Sequence, residues 1–186
     1  MHLEEALSSK MDIKAFIFDM DGLLFDSERI VQRSWEMAGD ELGIPHMGDV
    51  IYHTLGMNRT GRNEYFRKYI REDFPFEEFG KLTRDNFWKI VDKEGLPLKK
   101  GAKELLAYGK SQGYKMAVAT SSSREYAMGN LIRAGIDSYF DSVVCGDMVK
   151  KAKPDPEIYQ KACESLGIQP EYCMAFEDAP GGILSA

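Results

Sequence analysis

Ala15-Phe16-Ile17-Phe18 is apolar at four consecutive positions and runs straight into Asp19-Met20-Asp21-Gly22. A strand with no polar side is buried on both faces, as in a parallel sheet covered by helices, and Asp21-Gly22 supplies the turn that ends it. Ligand sites of open α/β sheets lie just beyond such strand ends. Two carboxylates one residue apart at that place suit metal-assisted phosphoryl chemistry. The same residues alone also fit an ordinary Asp-Gly turn in which Asp19 bonds the turn amides.

Three further segments repeat the pattern. Lys115 to Thr120 reads as a strand that opens into Ser121, Ser122 and Ser123, where hydroxyls and helix-starting amides form a nest suited to a phosphate, or where a serine simply caps the helix that follows. Ser142 to Cys145 is strand-like and leads to Lys151-Ala152-Lys153-Pro154-Asp155-Pro156, a loop able to hold an ammonium beside a phosphate. Tyr172 to Phe176 ends abruptly in Glu177-Asp178. Bringing those acids next to Asp19 and Asp21 without a cation is severely repulsive, so the arrangement implies a divalent metal, and an all-oxygen donor set favours magnesium.

The organisation follows from where strands are missing. Between Asp26 and about Leu98 only helical periodicity recurs, through Ile30, Trp35, Tyr65, Phe66, Tyr69, Phe79, Leu82, Phe87, Trp88 and Ile90, punctuated by Gly43-Ile44-Pro45, Phe74-Pro75 and Gly95-Leu96-Pro97. The aromatic stripe reads as the core of an inserted helical bundle. From Pro97 onward helices over Ala102–Gln112, Glu125–Arg133 and Glu157–Leu166 alternate with the strands, each helix ended near a glycine. That alternation gives a parallel sheet. The expected architecture is α/β: a Rossmann-like core of residues 11–28 and 98–186, with residues 29–97 as a helical cap.

In their order, Asp19-Met20-Asp21-Gly22, Thr120-Ser121, Lys153-Pro154 and Glu177-Asp178 resemble the four motifs of the haloacid dehalogenase-like phosphohydrolases. The stretches Phe18 to Glu28 and Phe176 to Pro180 are similar to the β-phosphoglucomutase-like branch, which includes pseudouridine-5′-phosphatase-like and sugar-phosphate phosphatases. The resemblance implies that Asp19 is the nucleophile that becomes an aspartyl-phosphate and that Asp21 is the general acid and base. It implies that Thr120, Ser121 and Lys153 bind the phosphoryl group, and that Asp19, Asp21 through its backbone carbonyl, Asp178 and Glu177 serve a magnesium ion. Gly56-Met57-Asn58-Arg59 resembles the family's substrate-specificity loop, with Arg59 placed to clamp a second part of the substrate, and the inserted bundle would act as a lid. Dehalogenating members lack the second aspartate, so Asp21 argues for phosphate. The mutases share a cap-hinge histidine; the matching position here is Val31, which argues for hydrolysis over phosphoryl relocation. Family members continue for a further strand and helix beyond the point corresponding to Ala186.

The formal charge of −6 disfavours nucleic acid and acidic membranes as partners. No stretch reads as a transmembrane helix, and Met1–Lys10 has no apolar core of a secretory signal. Cys145, Cys163 and Cys173 lack metal-ligand spacing and read as buried reduced thiols of a cytoplasmic protein. His2, His46 and His53 are scattered and read as surface or cap residues. The expectation is thus a monomeric magnesium-dependent phosphatase of a small phosphorylated molecule. Its rivals are a phosphomutase and a non-catalytic phosphate-binding protein.

Overall fold

A computed structural model describes residues 12–54 and 59–186, with Arg59 described by its backbone alone. The chain divides into two compact units, one of the described residues up to Phe25 together with Leu98–Ala186, the other Asp26–Pro97.

The first unit is built on a four-stranded sheet in the order β3-β2-β1-β4, parallel throughout. Its strands are β1 (Ala15–Phe18), β2 (Lys115–Thr120), β3 (Ser142–Cys145) and β4 (Cys173–Phe176). β1 is buried at every position and β2 from Met116 onward, because both are central strands with helices on either face. Ile17, Ala117, Ala119 and Val144 pack on one face against Ile158, Tyr159, Ala162 and Cys163 of a helix over Glu157–Leu166. On the other face Phe16 stacks on Tyr114 at 4.3 Å and Phe18 on Phe176 at 4.8 Å. There the helix Ala102–Ser111 comes so close that a Cβ on Gly109 would lie 2.8 Å from the Met116 sulfur.

Among the described strands β4 pairs with β1 alone. It forms an edge, so Met174 and Ala175 are exposed and Cys173 is half-buried, while Cys145 and Cys163 are buried as expected.

The second unit is helical: α1 (Ser27–Glu41), α2 (Met47–Thr54), α3 (Arg59–Tyr69) and α4 (Phe76–Glu94). The sheet unit supplies α5 (Ala102–Ser111), α6 (Arg124–Arg133), α7 (Glu157–Leu166) and a short α8 (Pro180–Ser185). Trp35 of α1 sits edge-on to both Phe66 and Phe79, each at 5.6 Å, which makes most of the aromatic stripe the unit's own core. Tyr69 and Trp88 do not join it and are exposed. α4 buries Asn86 and Ile90, and Trp88, two residues from each, falls on the opposite side of a 3.6-residue period. Val31 packs against this same apolar cluster.

Each unit pairs its own boundary residues. Phe25 and Leu98 form an antiparallel bridge and Lys99 N–H donates to Leu24 O at 2.8 Å in the sheet unit, while Asp26 N–H donates to Pro97 O at 2.8 Å in the helical one. Among the described residues no helix is long and apolar enough to cross a membrane.

Candidate active site

Parallel pairing fixes what stands beside what. The register Phe18↔Phe176 continues into a hydrogen bond from Asp19 N–H to Phe176 O of 2.9 Å, so the residues that leave β1 and β4 emerge next to each other. Suitable oxygens of Asp19, Glu177 and Asp178 lie within 4.8 Å of one another. Lys153, arriving in the loop before α7, donates from Nζ to Asp19 Oδ1 at 2.7 Å, to Ala119 O at 3.1 Å and to Glu177 Oε1. Tyr159 on α7 donates to the same Glu177 Oε1 at 2.5 Å, with its ring 5.1 Å from the ammonium.

Two glycines make room for the acids. Gly22 adopts φ +83°, which an L side chain rarely does, and a Cβ there would lie 2.1 Å from Asp178 Oδ2. A Cβ on Gly182, in α8, would lie 2.0 Å from the Glu177 carboxyl carbon.

Past the end of β2, Thr120 is 1% exposed and its Oγ1 accepts from Ser122 N–H at 3.1 Å. Ser123 takes the N-cap of α6 and accepts from Tyr126 N–H at 3.4 Å, the capping that the serine run allowed. The Asp21 carboxylate is held by other partners than the three clustered acids. Its Oδ2 accepts from the Ser122 hydroxyl at 2.8 Å and its Oδ1 from the Tyr126 phenol at 2.9 Å.

Asp19, Asp21, Thr120, Ser121, Lys153, Glu177 and Asp178 line one cavity of about 300 Å³. Gly56, Met57 and Asn58 lie outside the described residues, as does the Arg59 side chain, so Arg59 enters as the first residue of α3 and nothing more. A larger cavity of about 660 Å³ lies within the helical unit, between Trp35, Phe66 and Phe79 and the polar Arg62, Asn63 and Arg84. The clustered acids lie in the smaller one.

Burial pushes the Asp19 carboxyl up to about 6; the Lys153 ammonium pulls against that rise and the Glu177 charge adds to it. Burial also raises both phenols, helped at Tyr126 by the Asp21 charge and at Tyr159 by the bond to Glu177. Both stay protonated and serve as donors. Three close carboxylates, two of them paired to the Lys153 ammonium, form a hard oxygen donor set, which fits a divalent cation.

Tyr126, Tyr159 and Gly182 were not expected here. Tyr126 lies 105 residues from the carboxylate it bonds, and no local spacing signals that contact. Gly182 had a weak signal in the Gly181-Gly182 pair that opens the helix after Pro180.

Residues 13–186 match the family model described as haloacid dehalogenase-like hydrolase. The phosphorylated carbohydrates phosphatase of Thermotoga maritima is 33% identical over 94% of this chain and 80% of its own. Hexitol phosphatase A of Escherichia coli is 31% identical over 94% of this chain and 79% of its own. A crystal structure of a Thermotoga maritima protein provisionally described as a β-phosphoglucomutase superposes with a TM-score of 0.77 at 31% identity, covering 93% of this chain and 80% of that one. The chain belongs to the haloacid dehalogenase-like hydrolases, in their β-phosphoglucomutase-like branch, and is a phosphatase.

Proposed function

We propose that the protein hydrolyses a small phosphomonoester of a sugar-like or nucleotide-like alcohol, with magnesium, through an aspartyl-phosphate on Asp19. The observation that carries the reading is the meeting of Asp19, Lys153, Glu177 and Asp178 at the mouth of the sheet, with Asp21 in the same cavity. Asp19 and Asp178, with the Asp21 backbone carbonyl, would hold magnesium, which supplies charge neutralisation for the transferring phosphoryl group. Glu177, whose Oε1 is taken by Lys153 and Tyr159, serves chiefly to hold that lysine.

Asp19 attacks phosphorus, and burial keeps its oxygens poorly hydrated. Lys153 and the Thr120–Ser121 turn receive the equatorial oxygens and spread their charge. Asp21 gives a proton to the departing alcohol and later takes one from water. Arg59 would choose among alcohols.

The relatives named for phosphorylated carbohydrates and hexitols favour a sugar phosphate as substrate. Transfer to a second hydroxyl, as in a mutase, is the other reading because of the structural neighbour described as one. Val31 offers no group to relay a proton at the position where mutases carry histidine, and this favours water as acceptor. A screen of phosphomonoesters with magnesium, read as inorganic phosphate, tests the proposal. Isomerisation of a hexose 1-phosphate outpacing phosphate release, with a bisphosphate activator present, would overturn it.

A further inference from the structure

The two hydroxyls that hold Asp21 differ in where they stand. Ser122 is among the described residues that line the cavity, whereas Tyr126 is not, and reaches Asp21 Oδ1 from the first turn of α6 with a half-buried ring. α6 is itself fixed at this end by the Ser123 cap, and the Asn130 amide donates to Tyr126 O at 2.9 Å. A serine hydroxyl facing the cavity can rotate toward an arriving phosphate. A phenol carried on a half-buried ring with two torsions, on a residue outside the cavity lining, cannot leave so easily.

We propose that Tyr126 is the positioning residue of the proton-transfer steps: it anchors Asp21 through Oδ1, so that Oδ2, the oxygen the Ser122 hydroxyl vacates, is the one that carries the proton. This rests on the reading of Asp21 as general acid and base given above. In the first half-reaction an Asp19 oxygen bonds to phosphorus and the phosphorus–ester bond breaks. Its electron pair goes to the ester oxygen, which takes the proton from Oδ2. In the second, a water oxygen bonds to phosphorus, one of its protons passes to Oδ2, and Asp19 departs as carboxylate. The Tyr126 donor serves both steps by fixing the carboxyl plane, and it stabilises the charge left on Asp21 after the first. Without it the carboxyl group rotates over a broad, two-fold torsion.

The test compares Tyr126→Phe, Ser122→Ala and Asp21→Asn by kcat/KM, which reports the steps through release of the leaving group, on two esters. p-Nitrophenyl phosphate releases a phenolate that needs no proton. Glucose 6-phosphate, or glycerol 1-phosphate if the wild type turns the first over too slowly to measure, releases an alkoxide that does. Tyr126→Phe keeps the ring and its packing, and unchanged melting confirms that the sheet unit is intact. The expected result is a loss of about tenfold or more on the alkyl ester and within about twofold on the aryl ester, with Ser122→Ala losing alike on both. Equal losses from Tyr126→Phe on the two esters, or none, would overturn the anchor while Asp21→Asn still shows the skew. If Asp21→Asn itself shows no skew, the acid assignment falls and the anchor falls with it. The skew appearing in Ser122→Ala instead of Tyr126→Phe assigns the anchor to the serine and likewise overturns the proposal.

Discussion

Gly22 and Asp178, from opposite ends of the chain, meet so closely that a methyl group on the glycine would lie 2.1 Å from Asp178 Oδ2. Gly22→Ala therefore faces two costs, the left-handed backbone at φ +83° and the displacement of a carboxylate from the acidic cluster. The first is about 1–2 kcal/mol and falls on stability. The second falls on magnesium. The expected outcome is a lowered melting midpoint together with a magnesium requirement raised at least tenfold. A variant that is destabilised but has an unchanged magnesium titration would show that Asp178 simply moves aside.

Asp178→Ala should isolate that second effect. Removing one charged oxygen ligand weakens magnesium binding while the sheet stays folded, since Asp178 lies past the end of β4. Activity measured against magnesium concentration should shift to higher demand by at least one to two orders of magnitude, about what the loss of even a group supporting a ligand entails. An unchanged curve removes Asp178 from the ligand set.

Asp19→Asn is expected to abolish turnover, since an amide is a poor nucleophile. The same substitution has a less obvious consequence for stability. With its carboxyl raised by burial from the ordinary carboxylate range to about 6, Asp19 binds its proton more tightly in the folded chain than in the unfolded one. Stability contributed by this group is present below about pH 4 and is lost as pH rises toward 6, by about 2–3 kcal/mol in metal-free protein. Asparagine cannot ionise. In a chelating buffer the variant should therefore gain on the wild type between pH 4.5 and 7.5 in melting midpoint, and magnesium should erase that gain. A variant that trails the wild type equally at both pH values contradicts the assignment.

Lys153→Met should show the opposite balance. The ammonium bridges Asp19 and Glu177 with little solvent around any of the three. Its removal leaves two close carboxylates uncompensated, at a cost of about 3 kcal/mol. Excess magnesium should recover part of that stability and none of the activity. Full recovery of turnover would mean that Lys153 holds the acids together without touching the phosphoryl group.

The sequence revealed more of the site's chain-local half than of its tertiary half. Phe18-Asp19 and Thr120-Ser121 were legible because a run buried on both faces has to stop where polar groups begin, and that stop is visible in the letters. The Cys173–Phe176 run looks the same in sequence, and among the described strands it pairs with β1 alone, with Met174 and Ala175 exposed, where family members carry a further strand beyond the point corresponding to Ala186. Trp88 was misplaced because several phases of a helical stripe fit a sequence rich in aromatics; α4 buries Asn86, bonded to Glu41 at 3.0 Å, on the opposite side. Tyr126 and Tyr159 could not be read at all. Their partners are defined by how helices settle on the sheet, which one sequence does not display.

Asp19 and Lys153 are 134 residues apart in the chain and 2.7 Å apart in space. Asp19 directly follows the first described strand, and the groups that hold it arrive with the loop before α7 and with the residues just past β4. During synthesis, then, the carboxylate of Asp19 waits beside an incomplete sheet until the segment carrying Lys153 and β4 has emerged. Closing so long a stretch of chain is entropically slow. Catalytic competence should consequently appear late and all at once in refolding, after the helical segment Asp26–Pro97 has already acquired its own core.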